Sequence, residues 1–182
     1  MKKYYLIIFI IFFVAESNAS IKEKLILNLT NIDNFAFDFE QNINGKIEKG
    51  NCIIKYPKKI FCNYNLKNKK ILVSNGNSLV IKTLTSYYLY PLEKTPLNSI
   101  LNKKFLLKKI DNLNARIIEN KFINYKFFQN ENEISIFFDK DNYDLIGWQT
   151  TDIYQNLSIT YLTNIVKNQN LENNLFDLPK RE

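Results

Sequence analysis

The sequence predicts a mainly β protein: one large, curved antiparallel sheet accompanied by two short helices. Three observations carry this. Residues 35 to 166 break into about ten short apolar or alternating runs separated by turn-forming residues, the spacing of antiparallel hairpins. One of those turns, Ser74-Asn75-Gly76, holds the Asn-Gly pair that tolerates positive φ and so closes tight hairpins. Helical periodicity is confined to residues 20–34 and 95–103.

In chain order, Ser20 and Glu23 stand at the spacing of a capping box, and Ile21, Leu25, Ile26 and Leu29 share one face of the helix they open. Phe35 to Gln41 then alternates strictly, which turns Phe35, Phe37 and Phe39 to one side of a strand. Lys46 to Lys55 and Lys59 to Tyr64 follow as strands joined at Tyr56-Pro57-Lys58, where Pro57 has no N–H to give to a ladder. Two strands flank Asn75-Gly76, and a third ends in Tyr87-Tyr88-Leu89-Tyr90. Thr95 suits a helix N-cap and Pro96 its first position, with Leu97, Ile100 and Leu101 at helical spacing behind them. Phe105–Ile110, Ala115–Glu119, Phe122–Phe128, Glu133–Asp139, Leu145–Thr151 and Leu157–Val166 read as further strands, with turns near Asn130 and from Asp139 to Asp144. Fourteen phenylalanines and eleven tyrosines give such a sheet a large apolar face. Two short helices either complete a filled core over it or roof a ligand cavity.

The first nineteen residues have the pattern of a secretory signal: Lys2 and Lys3, an apolar run from Leu6 to Ala15 too short to span a bilayer, and Ser17-Asn18-Ala19 as the cleavage site. The alternative is an uncleaved N-terminal anchor. No cysteine follows the apolar run, so no lipid attachment is expected there. Residues 20–182 are enough for a single domain, and with four glycines and four prolines the chain shows no linker and no internal repeat. Without Lys2, Lys3 and Glu16 the chain keeps 23 basic and 17 acidic side chains. That balance suits anionic partners, although a chain rich in Ile, Asn and Lys also reflects codon composition. Export argues against nucleic acid.

The chemistry of catalysis is largely excluded. The sequence has no histidine, hence no Ser-His or Cys-His pair and no His-based metal site, and it has no Gly-rich phosphate loop. No enzyme activity, cofactor or metal is expected. Asp139, Asp141 and Asp144 space like calcium ligands, but Asp144 and Thr150 occupy the positions where the EF-hand pattern needs Gly and Glu, so a solvated turn is the expectation. Lys103-Lys104 and Lys108-Lys109 flank Phe105-Leu106-Leu107, as a patch facing a membrane or partner or as a solvated strand edge. Cys52 and Cys62 lie on either side of Pro57. They are expected on adjacent strands, bridged after export or left as two buried thiols, because one residue of register slip would part them.

The I-L-V-S-N-G of Ile71 to Gly76, the Y-Y-L-Y-P-L of Tyr87 to Leu92 and the T-P-L-x-x-I-L of Thr95 to Leu101 resemble the LolA family of periplasmic lipoprotein carriers. Phe35 to Gln41, Glu48-Lys49-Gly50, Ile54 to Pro57 and Asn174-Leu175-Phe176 extend the resemblance over most of residues 20–182. It implies an incomplete, half-open antiparallel β-barrel with a short α-helical lid over an apolar cavity. Leu25, Leu29, Phe35, Phe37, Phe39, Leu97, Ile100 and Leu101 are then the expected cavity and lid residues. The implied function is a monomeric carrier in the periplasm of a Gram-negative bacterium. It would bind lipoprotein acyl chains released by an inner-membrane ABC complex and deliver them to an outer-membrane receptor lipoprotein. The alternative is a LolA-like periplasmic protein-recognition or sensor domain without lipid cargo. Many family members carry, before the proline matching Pro57, an arginine that bonds to lid backbone. Here Tyr56 stands there as the lid-latch candidate, which implies a latch of apolar contact more than of charged hydrogen bonds. N-terminal sequencing of the exported protein is expected to begin at Ser20; an intact Met1 would show that the apolar segment is retained.

Overall fold

A computed structural model describes residues 20–129, 132–151 and 156–181; the expected signal segment and the turn at Asn130 lie outside them. The fold is mainly β. Eleven strands form one antiparallel sheet: β1 (Asn34–Ile43), β2 (Lys46–Lys55), β3 (Lys59–Tyr64), β4 (Ile71–Asn75), β5 (Ser78–Lys82), β6 (Tyr87–Pro91), β7 (Arg116–Ile118), β8 (Phe122–Gln129), β9 (Asn132–Asp139), β10 (Leu145–Thr151) and β11 (Leu157–Lys167). Their order is β6-β5-β4-β3-β2-β1-β11-β10-β9-β8-β7, so the outer strands β6 and β7 do not meet and the sheet stays open.

Each half is a run of hairpins, and the two halves join where β1 pairs with β11. The strict alternation of β1 sends Phe35, Phe37 and Phe39 inward. β2 and β3 answer with Cys52, Ile54, Ile60 and Cys62 on the same face. At the β4–β5 turn only Gly76 takes positive φ, at 106°; Asn75 contributes through its side-chain oxygen, which accepts the N–H groups of Asn77 and Ser78.

Among the described residues three α-helices lie on the inner face, one more than the sequence suggests. The first, α1 (Ile21–Thr30), has the expected capping box: Ser20 Oγ accepts the Glu23 N–H, and the Glu23 carboxylate accepts the Ser20 N–H. It ends at Thr30 rather than at Asn34, because Asn34 is already paired with Lys55 in the sheet. A single 3₁₀ turn, Leu92–Lys94, precedes α2 (Leu97–Leu101). Thr95 does not cap α2 through its side chain; its hydroxyl donates to the Leu92 carbonyl instead, at 2.8 Å.

Residues 105–110 are not a strand but the middle of α3 (Lys103–Asn112). Asn102 breaks the preceding helix and caps the new one, its Oδ1 accepting the Phe105 N–H at 3.2 Å. Leu106 and Ile110, four apart, are the buried pair; a strand would have set both beside Lys108 on one face. A short apolar run leaves helix and strand ambiguous, and the Asn102 cap was the signal that separates them.

Helices α1 and α3 pack against each other and fill one half of the sheet's inner face, with Leu25, Leu29, Leu106 and Ile110 in the core and Phe105 edge-on to Phe127 of β8. On the opposite face, Val73 and Val80 pair across β4 and β5 and are buried although they lie outside the main core. The C-terminal segment runs along this side: Lys59 Nζ stands 5.9 Å from the ring centre of buried Phe176, and Lys82 donates to the Lys180 carbonyl.

Gly50 faces Phe39 across β1 and β2. A Cβ there would stand 2.0 Å from the Asn63 carbonyl oxygen and 2.9 Å from the Phe39 ring, so β2 and β3 pair closely only because the position has no side chain. Gly50→Ala is expected to lower stability by roughly 1–3 kcal/mol, several degrees of melting temperature for a chain of this size, read by thermal unfolding. An unchanged melting temperature would show that the strands shift without cost.

Candidate functional site: an apolar cavity under a short helix

The half of the inner face that α1 and α3 leave uncovered encloses a cavity of about 430 Å³, within the size range of ligand pockets. Its walls come from both halves of the sheet and its roof from α2. Phe37 and Phe39 of β1, Ile60 of β3, Leu79 of β5 and Trp148 of β10 form the apolar wall, and Leu97 and Ile100 close it from above. The rings are fixed edge to face: Phe37 against Trp148 with centroids 6.2 Å apart, Phe39 against Tyr64 at 4.9 Å.

The eight residues expected to line this space divide into two groups. Phe37, Phe39, Leu97 and Ile100 lie on the cavity wall. Leu25, Leu29, Phe35 and Leu101 share the buried core with them but are not on that wall; Leu29, Phe35 and Tyr56 border a void of only about 10 Å³. The reason is the direction of β1, whose ladder starts beneath α1 and runs out into the cavity. Phe35 stacks on Phe37 at 5.4 Å and meets Tyr56 at 6.1 Å, so it belongs to the filled side. Helical amphipathicity marked Leu25 and Leu29 as buried but carried no information on what they would face.

The cavity also has members that the resemblance did not supply. Cys52 and Cys62 are bridged by a disulfide and lie on its wall, cross-strand partners in β2 and β3 with Cα atoms 4.1 Å apart. Tyr88 and Tyr90 of edge strand β6 stack at 6.5 Å and line it from the far side. The end away from α2 is polar: Gln41, Lys70, Thr150, Ser158 and Thr160 line it. Beside Lys70, the Glu48 carboxylate is almost fully buried, and burial opposes its charge. Lys70 at 2.5 Å and Lys46 at 2.9 Å outweigh that penalty and hold its pKa below the ordinary carboxylate value.

The helix over the cavity is held at both ends of the α2–α3 junction. The Lys58 N–H, in the turn after Tyr56-Pro57, donates to the Leu101 carbonyl at 2.8 Å. Lys103 Nζ donates to the carbonyls of Thr30 at 3.0 Å and Ile32 at 2.8 Å, with the Asp33 carboxylate 3.7 Å away. Tyr56 itself makes no such bond. Its hydroxyl is buried without a hydrogen-bond partner, burial pushes its pKa well above the ordinary phenol value, and its ring lies 5.5 Å beneath Lys103 Nζ. A charged contact at this junction thus comes from the helix side, beside the packing of the Tyr56 ring on Phe35. An Arg-to-Tyr change read along the sequence cannot reveal a cation that arrives from 47 residues downstream, at Lys103.

Elsewhere the charged motifs are structural. Among the described residues no group of three or more His, Cys, Asp or Glu could hold a metal ion. Asp139 Oδ1 accepts the N–H groups of Asp141 and Asn142, and Asp144 pairs with Lys167. Of the four lysines flanking Phe105-Leu106-Leu107, Lys103 is taken by the carbonyls of Thr30 and Ile32 at and just past the end of α1, and Lys109 lies over the rings of Phe105 and Phe127 at 5.3 and 5.1 Å.

Residues 30–179 match the family described as Outer membrane lipoprotein carrier protein LolA. In fold, the chain is similar to a Vibrio parahaemolyticus domain attributed to outer membrane lipoprotein sorting, with a TM-score of 0.51 and 8% identity over 86% of this chain and 94% of that one. A LolA superfamily protein from Nitrosomonas europaea aligns over 87% of this chain and 96% of its own length, with a TM-score of 0.48 and 8% identity. At these identities the likeness is one of fold. Among curated proteins, none matches the sequence.

Lys103→Met is expected to loosen the junction, because it removes two charge-assisted bonds that no other side chain replaces. Hydrogen exchange at the Lys58 amide, which reports the bond to Leu101, should quicken by about tenfold or more while the core strands keep their protection. Unaltered exchange would show that the lysine does not hold the helix down.

Proposed function

This chain belongs to the LolA family, and we propose that it is a carrier that encloses the acyl chains of lipoproteins. The observation that supports this most directly is the cavity itself: about 430 Å³, walled by Phe37, Phe39, Ile60 and Leu79, and roofed by a helix of five residues. An acyl chain entering it removes apolar surface on both partners from water, worth ~25 cal/mol per Å². A roof attached through a few hydrogen bonds can lift without unfolding the sheet beneath. We read the site as one that binds and does not transform, in keeping with a family of carrier proteins.

We extend the proposal to a route. Residues 1–19 direct export and are removed, and residues 20–182 work as one monomeric domain in the periplasm of a Gram-negative bacterium. An inner-membrane ABC release complex hands over the lipoprotein, and an outer-membrane receptor lipoprotein takes it on. Tyr56 supports the roof through its ring, packed between Phe35 and Lys103, and not through its hydroxyl.

The test is binding of a fluorescent acyl probe to the wild type and to Leu97→Asp. Leu97 is only half-buried, so the change is tolerable to the fold while it sets a carboxylate in the roof. Desolvating that charge against an acyl chain is expected to weaken the probe at least about tenfold. Unchanged affinity would show that α2 does not roof the binding site. Native mass spectrometry of protein purified from the periplasm gives the cargo directly: lipid or lipoprotein for a carrier, a polypeptide alone for a protein-recognition domain.

A further inference from the structure

The end of the cavity away from α2 has a chemistry that acyl chains do not use. One row of side chains crosses three strands there: Thr160 of β11, Gln41 of β1 and Glu48 of β2 are successive cross-strand partners. Gln41 Nε2 donates to Ser158 Oγ at 2.9 Å and to Thr160 Oγ1 at 3.2 Å. A hydroxyl that accepts one bond still has its own proton to give. Both hydroxyls belong to buried residues, and both line the cavity. Lys70 lines it too, its Nζ 2.5 Å from Glu48 and 4.0 Å from the centre of the Tyr64 ring.

The charges do not cancel. Glu48 is held by two ammonium groups, Lys70 at 2.5 Å and the exposed Lys46 at 2.9 Å. The lowered pKa of its carboxyl keeps it ionised at neutral pH, so the trio carries one net positive charge. Lys46 already satisfies part of the carboxylate, which leaves Lys70 able to share its donors with a second anion. Two neutral O–H donors and one ammonium thus line the same, otherwise largely apolar cavity.

We propose that this end is a head-group site for an anionic amphiphile. A carboxylate or phosphate oxygen would accept from Lys70 and from the Ser158 and Thr160 hydroxyls, with the hydrocarbon chain beneath Leu97 and Ile100. The proposal rests on the reading that the cavity takes acyl chains. It adds that a free, charged single lipid competes for the same space, which a neutral acyl group would do only through its chain. Charge-assisted bonds are the strong ones, so the head decides between ligands of equal chain length.

Trp148, the one tryptophan in the sequence, is on the cavity wall, and its fluorescence serves as the readout. The protein from Ser20 onward is titrated with dodecanoic acid, dodecyl phosphate and dodecan-1-ol, each below its aggregation limit. The wild type is expected to bind one or both anions at least about tenfold more tightly than the alcohol. In Lys70→Met that preference should fall to within about threefold, and in Lys70→Arg it should persist. Lys70→Met leaves Glu48 paired with Lys46; should it still fail to fold, Ser158→Ala takes its place and is expected to lower the preference without changing affinity for the alcohol. Preference for dodecanoic acid would point to fatty acids, and preference for dodecyl phosphate to lysophospholipids. Equal binding of all three by the wild type would overturn the head-group site and leave the acyl cavity standing. Binding of none would overturn both.

Discussion

Everything else in this molecule depends on the pairing of its first strand with its last. β1 meets β2 by a tight hairpin, but its other neighbour is β11, the last strand in the chain. That one long-range ladder turns two separate runs of hairpins into a single eleven-stranded surface. It also sets the phenylalanine ladder of β1 at the centre of the surface, with a wall rising on either side. A binding space walled by Leu79 of β5 and Trp148 of β10 at once exists only because β1 and β11 are neighbours.

A sheet of this size presents more inner face than three short helices can cover. The coverage is uneven: α1 and α3 pack together over one half, and α2, at five residues, spans only the rim of the other. The filled half provides stability through Leu25, Leu29, Leu106 and Ile110. The hollow half leaves one side of its aromatic and aliphatic side chains facing the cavity, an unfavourable arrangement for a protein that only has to fold and a useful one for a protein that accepts a hydrophobic guest. The disulfide between Cys52 and Cys62 lies in the wall of the hollow half, where a covalent cross-link supplies order that core packing does not.

The fastening of α2 shows how one role can be redistributed. The turn at Tyr56-Pro57-Lys58 still touches the helix, through the Lys58 N–H and the Leu101 carbonyl. The charge, however, comes from Lys103 and reaches the carbonyl of Thr30, the last residue of α1, and that of Ile32 just beyond it; the first is a group that attracts a cation in any helix. Tyr56 supplies an apolar floor for that ammonium.

What the sequence determined by itself was local. Alternation placed Phe35, Phe37 and Phe39 on one face, Ser20 and Glu23 announced α1, Asn75-Gly76 closed the β4–β5 hairpin, and an absence of histidine removed most catalytic chemistry. Each of these rests on a period or a turn preference that a few neighbouring residues express. The order of short motifs was enough to suggest the family and its half-open sheet. Phe105–Ile110 was misread because six residues cannot distinguish a buried helix from a strand once the Asn102 cap is overlooked. The tertiary structure alone decided which apolar side chains would line a cavity and which would not: Phe35 and Phe39 are alike in sequence and in strand face, yet Phe35 packs beside Leu29 and Tyr56 while Phe39, held against Tyr64, forms part of the cavity wall. It alone brought Lys103 to the end of α1, and Gln41, Ser158, Thr160 and Lys70 to one rim. Those meetings span as many as 119 residues of chain. They follow from the order in which distant strands pair in the open sheet, which no local run of residues encodes.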